Sequence, residues 1–346
     1  MLAAGAALAV APRMKAAEKL RLTMACWDYD RTRALMDGRV QVDGVDLTYL
    51  SLPVEETFFR MLRNAEFDVC EMSLSSYVVS LFEANPRFIA IPVFPSRMFR
   101  HSCIYTNANA GIREPKDLIG RKIATPEYQM TAPVWIRGIL SDEYKVPVES
   151  VTYYTGGEEE PNRDEKLALS LPAKIKLVPI GPTQTLAKMI ESGEVDAMHT
   201  ARAPSTFYSN PTRVKRLFPD YGKVEREYYA KTKLFPIMHT VIIRRDVYQK
   251  YPWVAQSLYK AFVQSQRVTY ADLRETAALK SMLPWLPDYL DDAERILGKD
   301  FWQYGYEPNV NNLSTFLRYS FEQGLSKRLL TPKELFAKES LESFKI

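Results

Sequence analysis

The sequence contains few cysteines and few histidines, three of each in 346 residues. Cys26, Cys70 and Cys103 are odd in number and have no metal-ligand spacing, which argues against a disulfide framework. Each of them follows an apolar stretch of the chain. We therefore expect buried thiols in strands rather than reactive groups.

Motifs that mark several common enzyme classes are absent as well. The chain has no phosphate-binding loop, no glycine cluster for a dinucleotide, no paired-histidine zinc motif and no nucleophile elbow. These absences argue against nucleotide-driven chemistry, redox cofactors and hydrolysis by a nucleophilic serine.

Long hydrophobic runs and an excess of one charge are also missing. No apolar stretch approaches the roughly 20 residues that a membrane-spanning helix needs, so we expect no membrane span. The 46 basic and 42 acidic residues give a net charge of +4. This balance, without a basic stripe, does not indicate nucleic acid as a partner. A local arginine cluster could still bind a small anion.

The N-terminus allows two interpretations. Residues 2–12 resemble the hydrophobic part of an export signal and are followed by Arg13 and Lys15, but the basic segment that should come first is missing. Residues 1–18 are therefore either a tail or the remnant of a longer export signal, such as a twin-arginine signal.

A helix-to-strand unit occurs twice in the chain, at residues 58–71 and again at residues 186–199. Each copy has apolar residues at helical spacing, then an acidic turn, then a short buried strand. The repeat predicts two similar α/β domains. It also makes Glu71 and His199 equivalent, each at the end of a strand, where open α/β sheets bind their ligands.

Strand and helix patterns alternate along the chain and predict a two-lobed α/β protein with a hinge. Domain 1 is expected to hold residues 19–112 and 240–346, with a helical C-terminal region that wraps back over it. Domain 2 would hold residues 113–239, and the strand 239–243 would be the return crossover. The acidic stretch 156–166 is expected to be a loop, either a lid or a solvated excursion.

All three histidines, His101, His199 and His239, fall at strand ends or in loops near the proposed cleft. Histidine is the side chain best suited to proton transfer near neutral pH. For a single histidine a surface or capping role is the plainer interpretation, but three near one cleft favour a function for at least one. An alternative is a divalent metal held by Glu71, His101, His199 and His239, although no short ligand spacing supports it.

Arginines are the candidate ligands for an anion. Arg97 and Arg100 stand beside His101, and Arg202 follows His199. Guanidinium groups bind carboxylates in bidentate geometry, so the loop around His101 could hold an acidic ligand. A solvated basic turn explains the same residues equally well.

Carboxylates, aromatic rings and serine hydroxyls surround the same strand ends. These candidates are Glu71, Asp28, Trp27, Tyr29, Tyr77, Ser73 and Ser75. The serines could donate to an anion at a helix N-terminus or simply cap that helix. Asp28 is either a site carboxylate or a cap. The rings could stack on a ligand or belong to the core.

Three stretches of the chain resemble the 4,5-dihydroxyphthalate decarboxylase family. They read LRLTMACWDYDRT (20–32), EETFFRML (55–62) and FDVCEMSLSSY (67–77). The similarity extends from about residue 20 to the C-terminal region. The wider fold group is the type 2 periplasmic-binding-protein-like superfamily, which implies two α/β lobes joined by a two-strand hinge and agrees with the repeat.

The resemblance implies a carboxy-lyase that converts 4,5-dihydroxyphthalate to protocatechuate and CO2 in phthalate degradation. Each carboxylate of that substrate is para to a hydroxyl, so the ring supplies the electrons and we predict no cofactor. Either His199 or His239 would be the acid. Either Glu71 or Asp28 would handle a phenolic proton, and the three arginines would hold the carboxylates.

A competing hypothesis is a periplasmic solute-binding protein that captures an aromatic or small carboxylate for a transporter. It needs the same arginines and rings but no proton donor. The enzyme would work in the cytoplasm, whereas the receptor would use an export signal to reach the periplasm. Both hypotheses predict a small aromatic carboxylate as the partner, and both allow a homo-oligomer.

Overall fold

The computed structural model describes residues 18–341, which form an α/β protein with two β-sheets. The predicted tail, residues 1–18, lies outside the described residues except for Glu18. Within the described range the strands are β1 (Leu20–Ala25), β2 (Val45–Leu50), β3 (Val69–Ser73), β4 (Phe88–Ile91), β5 (Ile104–Asn107), β6 (Lys122–Thr125), β7 (Thr152–Thr155), β8 (Lys176–Pro179), β9 (Ala197–His199), β10 (Val214–Arg216) and β11 (His239–Arg244). The α-helices of the same range are α1 (Asp30–Met36), α2 (Val54–Asn64), α3 (Leu74–Ser80), α4 (Thr131–Tyr144), α5 (Leu186–Ser192), α6 (Ser205–Ser209), α7 (Tyr221–Thr232), α8 (Arg245–Lys250), α9 (Trp253–Leu273), α10 (Leu286–Leu297) and α11 (Val310–Glu322).

The strands form one sheet in each lobe. The first sheet has the order β2-β1-β3-β11-β4, with β1 parallel to β2 and β3, and with β11 antiparallel to both of its neighbours. The second sheet has the order β10-β5-β9-β6-β7-β8, in which β6 to β9 run parallel. β3 is buried at all five positions because it lies in the middle of its sheet. The two sheets confirm the predicted two-lobed α/β fold.

The two copies of the sequence repeat occupy equivalent places, α2 with β3 in the first lobe and α5 with β9 in the second. Each repeat strand lies between one parallel and one antiparallel neighbour. α2 buries Phe58, Met61 and Leu62 on one face. Ala65 ends α2 and Gly193 ends α5, both in the left-handed conformation. That conformation turns the chain back towards the sheet.

Two segments, residues 92–103 and 217–238, carry the chain between the lobes. They pair antiparallel at a bridge between Arg97 and Ile237. The Met98 amide donates to the carbonyl of Pro236 over 3.1 Å, next to that bridge. These paired segments are the predicted two-strand hinge.

The predicted domain limits differ from the sheet limits at both crossings. The boundary placed between residues 112 and 113 is too late, because β5 precedes it and pairs in the second sheet. The return crossing ends before His239, and the whole of β11 belongs to the first sheet. Both errors have one cause, since a strand pattern does not tell which sheet the strand joins.

The helical C-terminal region packs on both lobes, and not on the first alone as predicted. α9 lies against α1, whereas α11 lies against α4 of the second lobe. The Trp135 ring of α4 is 5.6 Å from the rings of Phe316 and Tyr319 in α11. Gly138 leaves room for this packing, since a Cβ there would lie 2.1 Å from the Tyr319 ring. No helix in the described range is both long and apolar enough to cross a membrane.

Candidate active site

A cavity of about 570 Å³ lies between the two lobes, next to the hinge. The loop after β1 and the start of α2 line it from the first lobe. The start of α4 and the segment after β9 line it from the second lobe. Six predicted site residues line it, and they are Trp27, Tyr29, Ser73, Arg100, Arg202 and His239. The predicted position of the cleft at strand ends agrees with this geometry.

A larger groove, of about 910 Å³, lies away from these strand ends, between the end of α3, residues 167–174 and the end of α11. No histidine, cysteine or arginine among the described residues lines it. The groove therefore offers less for acid–base chemistry than the smaller cavity does, and we take the interlobe cavity as the candidate active site.

His239 of β11 lines the cavity and is paired with Glu71 of β3 behind it. The two strands are antiparallel, and His239 is opposite Ser73, two residues beyond Glu71. Residues two apart on a strand share a face, so this register puts both side chains on one face of the sheet. The His239 Nδ1 lies 2.6 Å from the Glu71 Oε1.

Glu71 is buried among hydrogen-bond donors. The Tyr29 hydroxyl donates to its Oε1 over 2.6 Å, and the Trp27 amide donates to its Oε2 over 3.1 Å. The Cys26 thiol donates to the same Oε2 over 3.6 Å. Burial alone would raise the pKa of Glu71, but His239 and these donors outweigh it and lower the pKa below its usual value. Glu71 is therefore a fixed negative charge behind His239.

The His239 ring is held on two sides. Its Nδ1 is bound by Glu71, and the edge of the Phe58 ring packs against it with 4.9 Å between centroids. The side chain is 17% exposed and lines the cavity. Because Nδ1 is occupied, Nε2 is the nitrogen that remains for a ligand. A carboxylate behind an imidazole is the arrangement that orients a general acid and stabilises its cation.

Hydroxyl groups from both lobes meet on the cavity floor. The Ser73 and Thr131 hydroxyls are 2.8 Å apart, and the Ser75 amide donates to the Thr131 hydroxyl over 3.0 Å. Thr131 is the first residue of α4, a helix of 14 residues. The positive end of that helix therefore lies at the cavity, where it favours an anion.

Arg100 contributes a guanidinium group to the same cavity. Its Nη1 donates to the Ala201 carbonyl over 3.1 Å, and its Nε lies 3.0 Å from the Met238 sulfur. Its Nη2 makes no hydrogen bond to any residue in the described part of the chain. Arg100 is 6% exposed, so this nitrogen is a poorly hydrated donor available to a carboxylate.

A second charged group lies where the lobes approach each other. Glu55 of α2 pairs with Arg163 over 3.1 Å and with Arg202 over 2.9 Å, both on the second lobe. Glu127 is fully buried and pairs with Arg163 over 2.6 Å and with the Lys166 ammonium. The acidic loop predicted at 156–166 thus reaches across to the first lobe.

Two of the three histidines do not line the cavity, which corrects their predicted position. His199 is 1% exposed, and neither ring nitrogen has a hydrogen-bond partner among the described residues. Burial, with Arg137 nearby, lowers its pKa to about 3. His101 packs its ring against Phe218 and Tyr228, and burial lowers its pKa to about 4. Both are neutral core side chains at neutral pH.

Four other predicted site residues also lie away from the cavity. Arg97 is buried and donates to the Phe235 carbonyl over 3.0 Å and to the Gln303 carbonyl over 2.6 Å, which ties the hinge to the C-terminal region. The buried Tyr77 hydroxyl donates to the Leu335 carbonyl and accepts from the Ala90 amide. Asp28 pairs with Arg33 at the surface, and the Ser75 side chain is buried.

The alternative metal ligands are not brought together. Glu71 contacts His239, whereas His101 and His199 lie in separate packed surroundings. In the described range no group of three or more histidine, cysteine, aspartate or glutamate side chains could hold a metal ion. The ligand set proposed from the sequence therefore does not fit a single ion.

Sequence reasoning missed Glu55, Glu127, Thr131 and Lys166. Thr131 begins α4 without a side-chain cap, so the usual signal for a helix start is absent. Lys166 and Glu127 are far apart in sequence and meet through a loop that has no periodic pattern. The mixture of acidic and basic residues after Thr155 was the available signal for this charged group.

Comparison with solved structures defines the fold class. A putative periplasmic sulfonate-binding protein SsuA from Methylobacillus flagellatus KT superposes with a TM-score of 0.54 at 14% identity, covering 92% of each chain. The aliphatic sulphonate-binding protein SsuA from Escherichia coli gives 0.52 at 12% identity, covering 93% of this chain and 99% of that chain. The protein therefore has the two-lobed fold of periplasmic binding proteins.

Curated relatives show the family. The chain is 45% identical over 328 residues to a 4,5-dihydroxyphthalate decarboxylase of Comamonas testosteroni, covering 95% of this chain and 99% of the relative. It is 44% identical over 211 residues to one of Pseudomonas putida, covering 61% of this chain and 82% of that protein. No family model matches the sequence. The chain belongs to the 4,5-dihydroxyphthalate decarboxylase family, which confirms the resemblance seen in the sequence.

Proposed function

We propose that the protein removes one carboxyl group from 4,5-dihydroxyphthalate to give protocatechuate and CO2. One observation carries this proposal. His239, held by the buried Glu71, lines an interlobe cavity in a chain that is 45% identical to a decarboxylase named for that substrate. A receptor needs no such positioned proton donor.

The reaction needs a proton at the ring carbon that loses its carboxylate. The Nε2–H of the His239 cation would give its proton to that carbon, and the para hydroxyl would supply electron density as the carbon becomes tetrahedral. The carbon–carboxylate bond then breaks, CO2 leaves, and the electron pair of that bond restores the aromatic ring. One proton is consumed for each CO2 released, and His239 takes its next proton from water.

Glu71 has a positioning role in this scheme. It fixes Nδ1 as the protonated nitrogen that faces inwards and stabilises the His239 cation before the proton is transferred. The sequence-based proposal that Glu71 handles a phenolic proton does not suit its place, since the carboxylate is 1% exposed and already has four donors. General acid catalysis of this kind contributes roughly a hundred- to ten-thousandfold in rate.

The cavity offers a set of groups for a planar dicarboxylate. Arg100 has a free Nη2, Thr131 marks a helix N-terminus, and Arg202 lies at the edge, where its side chain is 61% exposed. Trp27 and Tyr29 supply aromatic surface. Closure of the two lobes would exclude water and strengthen each charge interaction.

The hydroxylated ring itself supplies the electrons, so we propose a reaction without an organic cofactor. We also propose that it takes place in the cytoplasm. The three cysteines are free thiols in the described structure, which supports a reducing compartment.

The test is to mix the purified, chelator-treated protein with 4,5-dihydroxyphthalate and to measure protocatechuate by chromatography. Multiple turnovers for each protein molecule are the expected result. Binding without turnover, both before and after divalent metals are added, would contradict the proposal and would favour the solute-binding alternative.

A further inference from the structure

Lys166 is a buried cation in the cavity wall that the reaction described above does not use. Its side chain is 4% exposed, and its ammonium lies 4.6 Å from the centre of the Phe59 ring. Its backbone amide donates to the Glu127 Oε2 over 3.2 Å, and its ammonium donates to the Glu127 Oε1. These contacts hold the ammonium in one place.

The Lys166 ammonium has N–H groups that no described residue accepts from. An ammonium carries three N–H groups, and within the described range this one donates to Glu127 alone. Lys166 also lines the interlobe cavity. Two N–H groups in a desolvated position are therefore available to a ligand that enters the cavity.

Lys166 belongs to a charged group that spans the two lobes. Its cations are Arg163, Lys166 and Arg202, and the carboxylates paired with them are Glu55 and Glu127. Glu165 is next in sequence, and burial raises its pKa to about 7, as it does for Glu158 near Arg202. The charge of this group is therefore nearly balanced, and the contact to a carboxylate depends on the spare N–H groups of Lys166.

Lys166 and His239 contact consecutive residues of α2. Phe58 packs against the His239 ring, and Phe59 packs beneath the Lys166 ammonium. His239 comes from the first lobe and Lys166 from the second, and both line one cavity. One ligand in this cavity can therefore face both side chains.

We propose that Lys166 binds the carboxylate that stays on the product, and that this contact makes the enzyme selective for an ortho-dicarboxylate over a monocarboxylate. The inference rests on the proposed function. It explains why the reaction stops after one CO2. Protocatechuate still has a carboxylate para to a hydroxyl, so the electronic structure of its ring alone would allow a second decarboxylation.

The preferred orientation of bound protocatechuate explains why it is not decarboxylated in turn. When the one carboxylate of protocatechuate binds Lys166, a ring C–H faces His239 and no CO2 can leave. When the same carboxylate faces His239, Lys166 is left buried with two unmet N–H groups, which is unfavourable. The first orientation is therefore preferred, and it makes protocatechuate a product inhibitor and not a substrate.

The test compares Lys166→Met with the wild type. The KM for 4,5-dihydroxyphthalate should rise roughly 10- to 100-fold with a smaller change in kcat, as expected when a charged contact is lost. The protocatechuate dissociation constant, measured by titration without turnover, should rise by a similar factor. Lys174→Met is the matched control, because Lys174 lies in the same segment, is 57% exposed and pairs with Glu149.

Each outcome decides a separate question. An unchanged KM and an unchanged protocatechuate dissociation constant in Lys166→Met would overturn the inference. Absence of turnover by the wild type would overturn the proposed function, while the protocatechuate titration would still report on Lys166. If Lys166→Met loses its fold in circular dichroism, Lys166→Gln, which keeps a donor for Glu127, takes its place in both measurements.

Discussion

Single side chains decide the chemistry of the cavity, and Glu71 is the first that can be tested. In Glu71→Gln the side chain keeps its shape but loses the charge that, in the proposed mechanism, stabilises the His239 cation. We expect kcat to fall roughly 100- to 1000-fold with little change in KM, within the usual range for an acid–base contribution. Steady-state kinetics measures this, with Glu66→Gln at an exposed turn as the control. A kcat equal to that of the wild type would remove Glu71 from the mechanism.

The buried histidines should make the fold sensitive to acid. His101 and His199 have folded-state pKa values of about 4 and about 3, below the ordinary value of 6.5, so the unfolded chain binds more protons below pH 6.5. The free energy of unfolding should therefore be unaffected by these two groups above pH 6.5, and it should fall progressively as the pH is lowered towards 3.

The variant His101→Phe tests this sensitivity, because it keeps a ring beside Phe218 and Tyr228 but removes one titrating group. Its free energy of unfolding in urea should fall less between pH 6.5 and pH 4 than that of the wild type. A parallel fall in both proteins would show that His101 does not contribute to the acid sensitivity.

For single side chains, the sequence identifies candidate site residues but does not rank them. It selects all three histidines, but only the structure separates His239 from His101 and His199. The difference depends on which side chains cover each ring, and that is set by packing between segments far apart in the chain. Lys166 was missed for the same reason, since its partner Glu127 lies on another loop.

The contact between α4 and α11 allows a test of how the helices pack. Gly138→Ala would place a Cβ 2.1 Å from the Tyr319 ring, so the helices must separate. Overpacking of this kind costs roughly 1–3 kcal/mol. Urea unfolding should show a loss of that size. The matched control is Gly222→Ala in α7, where the Cβ meets only the flexible Arg226 side chain, 3.2 Å away, and little loss is expected. Equal stability in both variants would contradict the described packing.

Local patterns predict elements better than they predict partners. The strand expected at residues 239–243 is β11, and the helix-to-strand repeat is present in both lobes. The limit between the domains was misplaced because β5 looks like any other buried strand in sequence. Its pairing with β9 and β10 is a long-range property that the alternation of apolar residues does not contain.

Ion pairs link the two lobes beside the cavity, and we expect them to favour its closure. Glu55 joins the first lobe to Arg163 and Arg202 of the second. In Glu55→Gln these pairs are lost, and we expect the ligand-free protein to have a larger radius of gyration in small-angle X-ray scattering. Glu56→Gln is the control, since Glu56 pairs with Arg60 on its own helix. Equal radii in both variants would show that these pairs do not influence closure.

For the whole molecule, the repeat and the family resemblance predicted the fold correctly. The two curated relatives are both named for the predicted activity. A two-lobed binding fold does not by itself provide chemistry, as its likeness to sulfonate-binding proteins shows. In the proposed mechanism, chemistry requires the proton donor that we assign to His239 at the cavity. The predicted homo-oligomer stays a prediction.

The most direct test of the account is turnover of 4,5-dihydroxyphthalate by His239→Asn, measured beside the protocatechuate dissociation constant of the same variant. We predict that kcat falls at least about a hundredfold, as for the loss of a general acid, while the dissociation constant changes only a few-fold. Turnover at the wild-type rate in a variant that still binds protocatechuate would contradict the assignment of His239 as the proton donor.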